Sequence, residues 1–155
     1  MRIRIISVIK RQEPHLAAIE SDYLKRIRRF LPCDVIEVKR KEVTGAHSEK
    51  LLKVEAKRIE NVLKEGEFVV LLSEKGKELS SGELAHFMNS RMKNGKRSLA
   101  FVIGGPVGLS RDLALKANEH LSLSRLTFPH KLVRLILLEA IYRAVEILRG
   151  GPYPK

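Results

Sequence analysis

The chain is expected to fold as an α/β domain with a mainly parallel sheet and flanking helices. Three observations lead there. Short, β-branched apolar runs recur along the chain, stretches with helical spacing separate them, and Gly or Pro marks most of the junctions. Ile3, Ile5, Ile6, Val8 and Ile9 form the first run and read as a buried strand. Pro14 opens a helix whose apolar face is Leu16, Ile19, Tyr23, Ile27 and Phe30, and Pro32 ends it. Asp34–Val38 is the second strand and Lys39–His47 a polar, basic loop. Ser48 is placed to cap the next helix, with Leu51, Leu52, Ile59, Val62 and Leu63 as its stripe and Gly66 at its C-cap. Phe68–Leu72 is apolar throughout, as a strand covered on both faces should be, and Ser73–Lys77 is a loop.

The second half repeats the alternation. Ser80 and Glu83 have capping-box spacing, Leu84, Phe87, Met88 and Met92 line the helix that follows, and Gly95 stops it. Leu99–Ile103 is another apolar strand, leading into the glycine-rich Gly104–Gly108. Ser110 caps a short helix ending near His120, and Leu121–Phe128 alternates as a last strand. Pro129 then begins a helix to about Leu148, and the Gly-Pro tail that follows cannot be helical. No repeat, linker or low-complexity segment is visible, so one domain spanning residues 1–155 is expected.

Composition narrows the function. Thirty Lys and Arg against 18 Asp and Glu give a net charge of +12 and a pI near 10.1. Hydrophobic residues at 44% and a mean hydropathy of −0.14 belong to a globular protein, not a disordered basic tail. The basic residues cluster at Lys25, Arg26, Arg28 and Arg29, at Lys39–Lys41, and at Arg91, Lys93, Lys96 and Arg97. Such clusters suit a polyanion held through its phosphates. Aromatic residues are only 5% and Trp is absent, which favours folded RNA over stacked single strands. A lone Cys33 points to a reducing cytoplasm, and no run is long enough to span a membrane.

Several chemistries are excluded. No G-x-x-x-x-G-K-[ST] or G-x-G-x-x-G is present, and Gly76-Lys77 is followed by Glu78. His15, His47, His86, His120 and His130 are scattered, with no Cys pair and no H-E-x-x-H, so no metal is expected. Cys33 reads as a structural thiol. In a parallel sheet, ligands bind beyond the carboxyl ends of the strands, which here means the loops after Leu72, after Ile103 and along Leu123–Phe128. In the last helix His130 and Arg134 share a face, and Glu139 and Arg143 can pair. By spacing alone, that second pair is equally a surface salt bridge or an arginine held to orient a phosphate or base edge.

Ile103-Gly104-Gly105-Pro106 with Gly108-Leu109-Ser110, the segment Leu121–His130 (LSLSRLTFPH), and Arg134, Glu139 and Tyr142-Arg143-Ala144 together resemble the RlmH family of SPOUT methyltransferases. The resemblance covers essentially the whole chain. It implies an α/β fold with a deep C-terminal trefoil knot, a homodimer, and S-adenosyl-L-methionine as cofactor, with S-adenosyl-L-homocysteine as product. The implied reaction methylates N3 of a pseudouridine in large-subunit rRNA on assembled ribosomes, with neither membrane nor DNA as partner. Carried over by motif, the cofactor contacts are Leu72, Gly104, Leu123, Ser124, Arg125, Leu126, Thr127 and Phe128. Arg143 and Tyr153 are the implied catalytic residues, and His130 and Arg134 the substrate contacts. At the start of a helix, His130 should have lowered proton affinity and serves either RNA or cap packing. Relatives typically end in Tyr-His and a basic residue, whereas this chain ends Tyr153-Pro154-Lys155. The competing expectations are a non-catalytic RNA-binding or ribosome-assembly module and a SPOUT methyltransferase acting on tRNA.

Overall fold

The computed structural model describes residues 1–9, 12–40, 48–105 and 108–153, and for Ser48 its backbone alone. The elements alternate as expected: β1 (Arg2–Ile9), α1 (Pro14–Arg28), β2 (Cys33–Lys39), α2 (Ser48–Val62), β3 (Phe68–Glu78), α3 (Ser81–Lys93), β4 (Ser98–Ile103), α4 (Arg111–Lys116), β5 (Glu119–Ser122) and α5 (His130–Arg149). The five strands form one sheet in the order β2-β1-β4-β3-β5, and every pairing is parallel. Ile5 lies between Val35 and Phe101, which makes β1 a central strand.

Side chains alternate across the sheet and divide the core in two. Ile3, Ile5, Leu99 and Phe101 face α1, α3 and α5, where Ile27, Met88, Leu137, Leu138 and Ile141 meet them. Ile6, Val8, Ala100 and Val102 face α2 and α4 and pack on Ala56, Ile59 and Leu113. Each large aliphatic buried this way contributes about 1.5–3 kcal/mol relative to exposure. Cys33 is in the first layer, 1% exposed, and burial pushes its thiol up to about 12, so it is an inert packing group.

The caps follow their chemistry. Ser80 and Glu83 make the full capping box, with Glu83 N–H donating to Ser80 Oγ at 3.2 Å and Ser80 N–H to Glu83 Oε2 at 2.7 Å. Leu113 N–H donates to Ser110 Oγ at 3.2 Å. Gly95, at φ +71°, closes α3 with Lys96 N–H on Arg91 O and its own N–H on Met92 O, both at 3.1 Å.

Four boundaries differ from the sequence expectation. β3 does not stop at Leu72 but continues to Glu78, and Leu121 pairs both with Leu72 and, past an irregularity, with Lys77. Gly76 makes that return possible, because a Cβ there would sit 2.4 Å from the Leu121 carbonyl carbon. β5 ends at Ser122 instead of Phe128. The alternating serines that resemble a strand turn the chain: Ser122 Oγ donates to Ser124 O at 2.9 Å, and Leu126 N–H to Ser124 Oγ at 3.0 Å. α4 stops at Lys116, short of His120. α2 ends at Val62, and Gly66, at φ +76°, serves a turn closed by Glu67 N–H on Lys64 O. The basic-loop residues Lys41–His47, Pro106 of the glycine loop, and Pro154 and Lys155 lie outside the described residues.

Candidate functional site

A cleft of about 680 Å³ opens at the edge where β3 leaves regular pairing and β4 and β5 end. Its walls come from Leu72 and Ser73–Lys75 of β3, Gly104, Gly105 and Gly108 after β4, and the coil after β5. Leu123, Ser124, Leu126, Thr127 and Phe128 line it, so the three loops picked from topology meet in one place. Arg125 is outside it, 91% exposed and 3.8 Å from Glu78 Oε1. The lining mixes apolar side chains such as Leu72, Leu109, Leu123 and Phe128 with polar ones, among them Glu74, Lys75, Ser124 and Thr127, as a site for a ligand with apolar and polar parts requires.

The glycine loop is shaped by contact. A Cβ on Gly104 would lie 2.8 Å from both Gly108 O and Leu109 Cγ, so no larger residue fits without moving backbone. Gly108, at φ +86°, returns its N–H to Gly105 O at 2.9 Å and makes an antiparallel bridge.

His130 lines the cleft at the first turn of α5, and its proton affinity is lowered. Burial is the largest cause, followed by the nearby charges of Arg40 and Lys131. Arg134, one turn on, is not brought to the cleft. It is 3% exposed, with Nε and Nη2 on the two oxygens of Glu20 at 2.9 and 2.6 Å and Nη1 on Glu37 at 2.8 Å. Burial opposes its charge, but these bonds outweigh it and raise its pKa. A guanidinium so engaged ties α5 to α1 and β2.

Arg143 and Tyr153 also lie away from the cleft of their own chain. Thirteen residues separate His130 from Arg143, so along α5 they are about 20 Å apart. Arg143 donates to Glu139 Oε1 from Nε at 3.0 Å and from Nη2 at 2.6 Å. The tail folds back so that the Tyr153 ring packs edge-on to Tyr142 at 4.7 Å and beside the Arg143 guanidinium at 4.9 Å. Tyr153 Oη donates to Glu139 Oε1 at 3.3 Å. Burial first, then its contacts with Tyr23 and Glu139, pushes the Tyr153 phenol up to about 12, so it stays protonated at neutral pH.

Glu55 was not anticipated from the sequence. It packs against Gly105 from the side of α2, and its signal is the four-residue spacing Leu51, Glu55, Ile59, a carboxyl on a buried stripe. Among the described residues no group of three or more metal-ligating side chains comes together, and no helix is long and apolar enough to cross a membrane.

These features define a class. Residues 1–154 match the family described as "Predicted SPOUT methyltransferase", and the chain belongs to that family. A protein of Carboxydothermus hydrogenoformans, named "Ribosomal RNA large subunit methyltransferase H", is 43% identical over the full length of both chains. A protein of the same name from Acetivibrio thermocellus is 41% identical over 99% of each. Among solved structures, a tRNA (m1G37) methyltransferase of Aquifex aeolicus shares the fold at TM-score 0.57 and 16% identity, covering 100% of this chain and 75% of the other.

Proposed function

We propose that the protein is a cytoplasmic rRNA methyltransferase that transfers the methyl group of S-adenosyl-L-methionine to N3 of a pseudouridine in the large subunit of the assembled ribosome. One observation carries this. Every motif-matched cofactor residue except Arg125 lines a single cleft of about 680 Å³, in a chain 43% identical to a named large-subunit rRNA methyltransferase. The cleft fits the cofactor: it has the volume of a small-ligand site, and Gly104, Gly105 and Gly108 give it a wall without side chains. Leu72, Leu123 and Phe128 would hold the adenosine, and Gly104, Ser124, Leu126 and Thr127 the polar chain. When bound, the cofactor supplies an electrophilic methyl group.

The residues of the chain then have to align N3 and help it lose a proton. Arg143, fixed by Glu139, would stabilise the developing charge on the base. Tyr153, held protonated, would donate a hydrogen bond or stack on the base, and does not act as a base itself. His130 at the cleft mouth would meet RNA. Arg134 is reassigned from substrate contact to bracing the helix that carries His130 and Arg143.

The distance of Arg143 from its own cleft supports a homodimer in which the second copy supplies Arg143 and Tyr153. Large apolar side chains that such packing would cover include Leu126 on the cleft wall, 71% exposed, Leu115 at 76% and Ile19 at 46%. A trefoil knot at the C-terminal end of the fold belongs to the same proposal, as the family implies.

Transfer of labelled methyl to ribosomes lacking the modification tests the function, with free rRNA and tRNA alongside. Label in large-subunit rRNA from intact ribosomes is the expected result. Label in tRNA, or none in any RNA, would overturn it.

A further inference from the structure

Glu55 is 2% exposed, and neither carboxylate oxygen has a hydrogen-bond partner among the described residues. A Cβ built on Gly105 would lie 3.0 Å from Oε2, 3.4 Å from Oε1 and 3.3 Å from Val8 Cγ1. Gly105 lines the cleft and Glu55 does not, so the carboxyl is seated behind the loop backbone. A buried carboxylate without partners is costly, and the cost falls when a positive charge comes near in a poorly screened setting. The two candidate ligands of this cleft differ in that respect: the sulfonium of S-adenosylmethionine is permanently cationic, and the thioether of S-adenosylhomocysteine is neutral.

We infer that Glu55 is a specificity-determining residue whose carboxylate, seated behind Gly105, favours S-adenosylmethionine over S-adenosylhomocysteine and so helps the cleft release product. This rests on the cofactor assignment made above. Burial pushes the Glu55 carboxyl up, and Arg40 and Arg58 oppose the rise. Arg40 follows β2, and Arg58, on α2 itself, donates to Lys39 O at 2.5 Å. Val8 and Gly105, facing Glu55 from β1 and the glycine loop, carry no charge. His130, His120, Glu74 and Lys75 line the cleft itself, and a protonated His130 also disfavours the cationic ligand, so the pH dependence that belongs to Glu55 is the part that its replacement removes. Where Glu55 is protonated in the free protein, binding the cation releases that proton to solvent, and binding the neutral product does not.

Calorimetric titration of the full chain with each ligand tests this, wild type and Glu55→Gln being compared at the same series of pH values above 4.5. Wild-type affinity for S-adenosylmethionine should rise with pH more steeply than that of Glu55→Gln, with no such difference for S-adenosylhomocysteine. Glu55→Gln should weaken S-adenosylmethionine about tenfold, leave S-adenosylhomocysteine within about twofold, and flatten the difference in pH profile. Equal weakening of both ligands, or an unchanged ratio, would overturn the inference. Should Glu55→Gln not fold, Glu55→Met is the second arm: removing the charge at similar volume must move the ratio of the two affinities toward S-adenosylhomocysteine, and an unchanged ratio overturns the inference. Wild-type protein that binds neither ligand would sink the cofactor assignment itself, a result separable from all of these.

Discussion

Two buried glutamates stand at opposite ends of the same sheet. At the end where the strands begin, Glu67 takes Arg4 Nη1 at 2.5 Å, Ser98 Oγ at 2.7 Å and Lys64 N–H at 2.8 Å. Burial raises its carboxyl, but those three donors outweigh it, and the group is held below the usual carboxylate range. At the cleft end, Glu55 has no such donor and is pushed the other way. One end has its polar groups satisfied within the fold and acts as foundation. The other keeps a carboxyl waiting beside a ligand cleft. Residue type is the same in both; the neighbours decide whether a buried charge braces the protein or equips it.

Removing the foundation should have the largest effect. Glu67→Ala leaves Arg4 buried without its carboxylate and should cost about 3–5 kcal/mol, read as a fall in the denaturation midpoint. Far along α5 from the cleft, Arg143→Ala should lower methyl transfer about 100-fold with little change in cofactor affinity. Equal loss of both would remove its catalytic role. Mixing Arg143→Ala chains with Gly104→Val chains, whose glycine loop cannot keep its shape, sharpens this: activity returns in the mixture if the sites are shared between copies and stays absent if each copy works alone. Smaller again is the pH response of the free protein. The contribution of Glu67, with a lowered pKa, is present above its ordinary value of 4.5 and lost as pH falls through the folded value. Glu55 has a raised pKa, so its penalty is absent in acid and grows as pH climbs above 4.5. Free Glu55→Gln protein should therefore be more stable than wild type near neutrality by about 1 kcal/mol and equal to it in acid. Thermal melts without ligand across that range would measure it, and a parallel pair of pH curves would contradict the assignment.

Most of the architecture could be read from the residues because burial on both faces leaves a plain mark. Ile3–Ile9, Phe68–Leu72 and Leu99–Ile103 are apolar enough that only a covered parallel sheet accommodates them, and Ser80 with Glu83 announces its helix. The Leu121–Phe128 segment misled for a definable reason: serines spaced by two imitate an alternating strand, while their hydroxyls bend the backbone into the cleft wall. The motif residues were identifiable and most of them converge. What spacing could not convey was pairing across the fold. Arg134 looks like a free cation in sequence, because Glu20 and Glu37, which neutralise it, lie on α1 and β2.

The central position of β1 has a consequence for how the chain comes to be folded. Its first residues pair on one side with β2 but on the other with β4, so Ile5 waits for Phe101. The layer over that face is finished later still, by Leu137, Leu138 and Ile141 near the carboxyl end. A chain emerging from the ribosome therefore carries an apolar strand exposed on one side until β4 and α5 have been made. Such non-local pairing makes folding slow. Shortening the tail by even part of α5 should leave a soluble-looking sequence without a native state, an outcome that pulse proteolysis of stalled nascent chains would reveal.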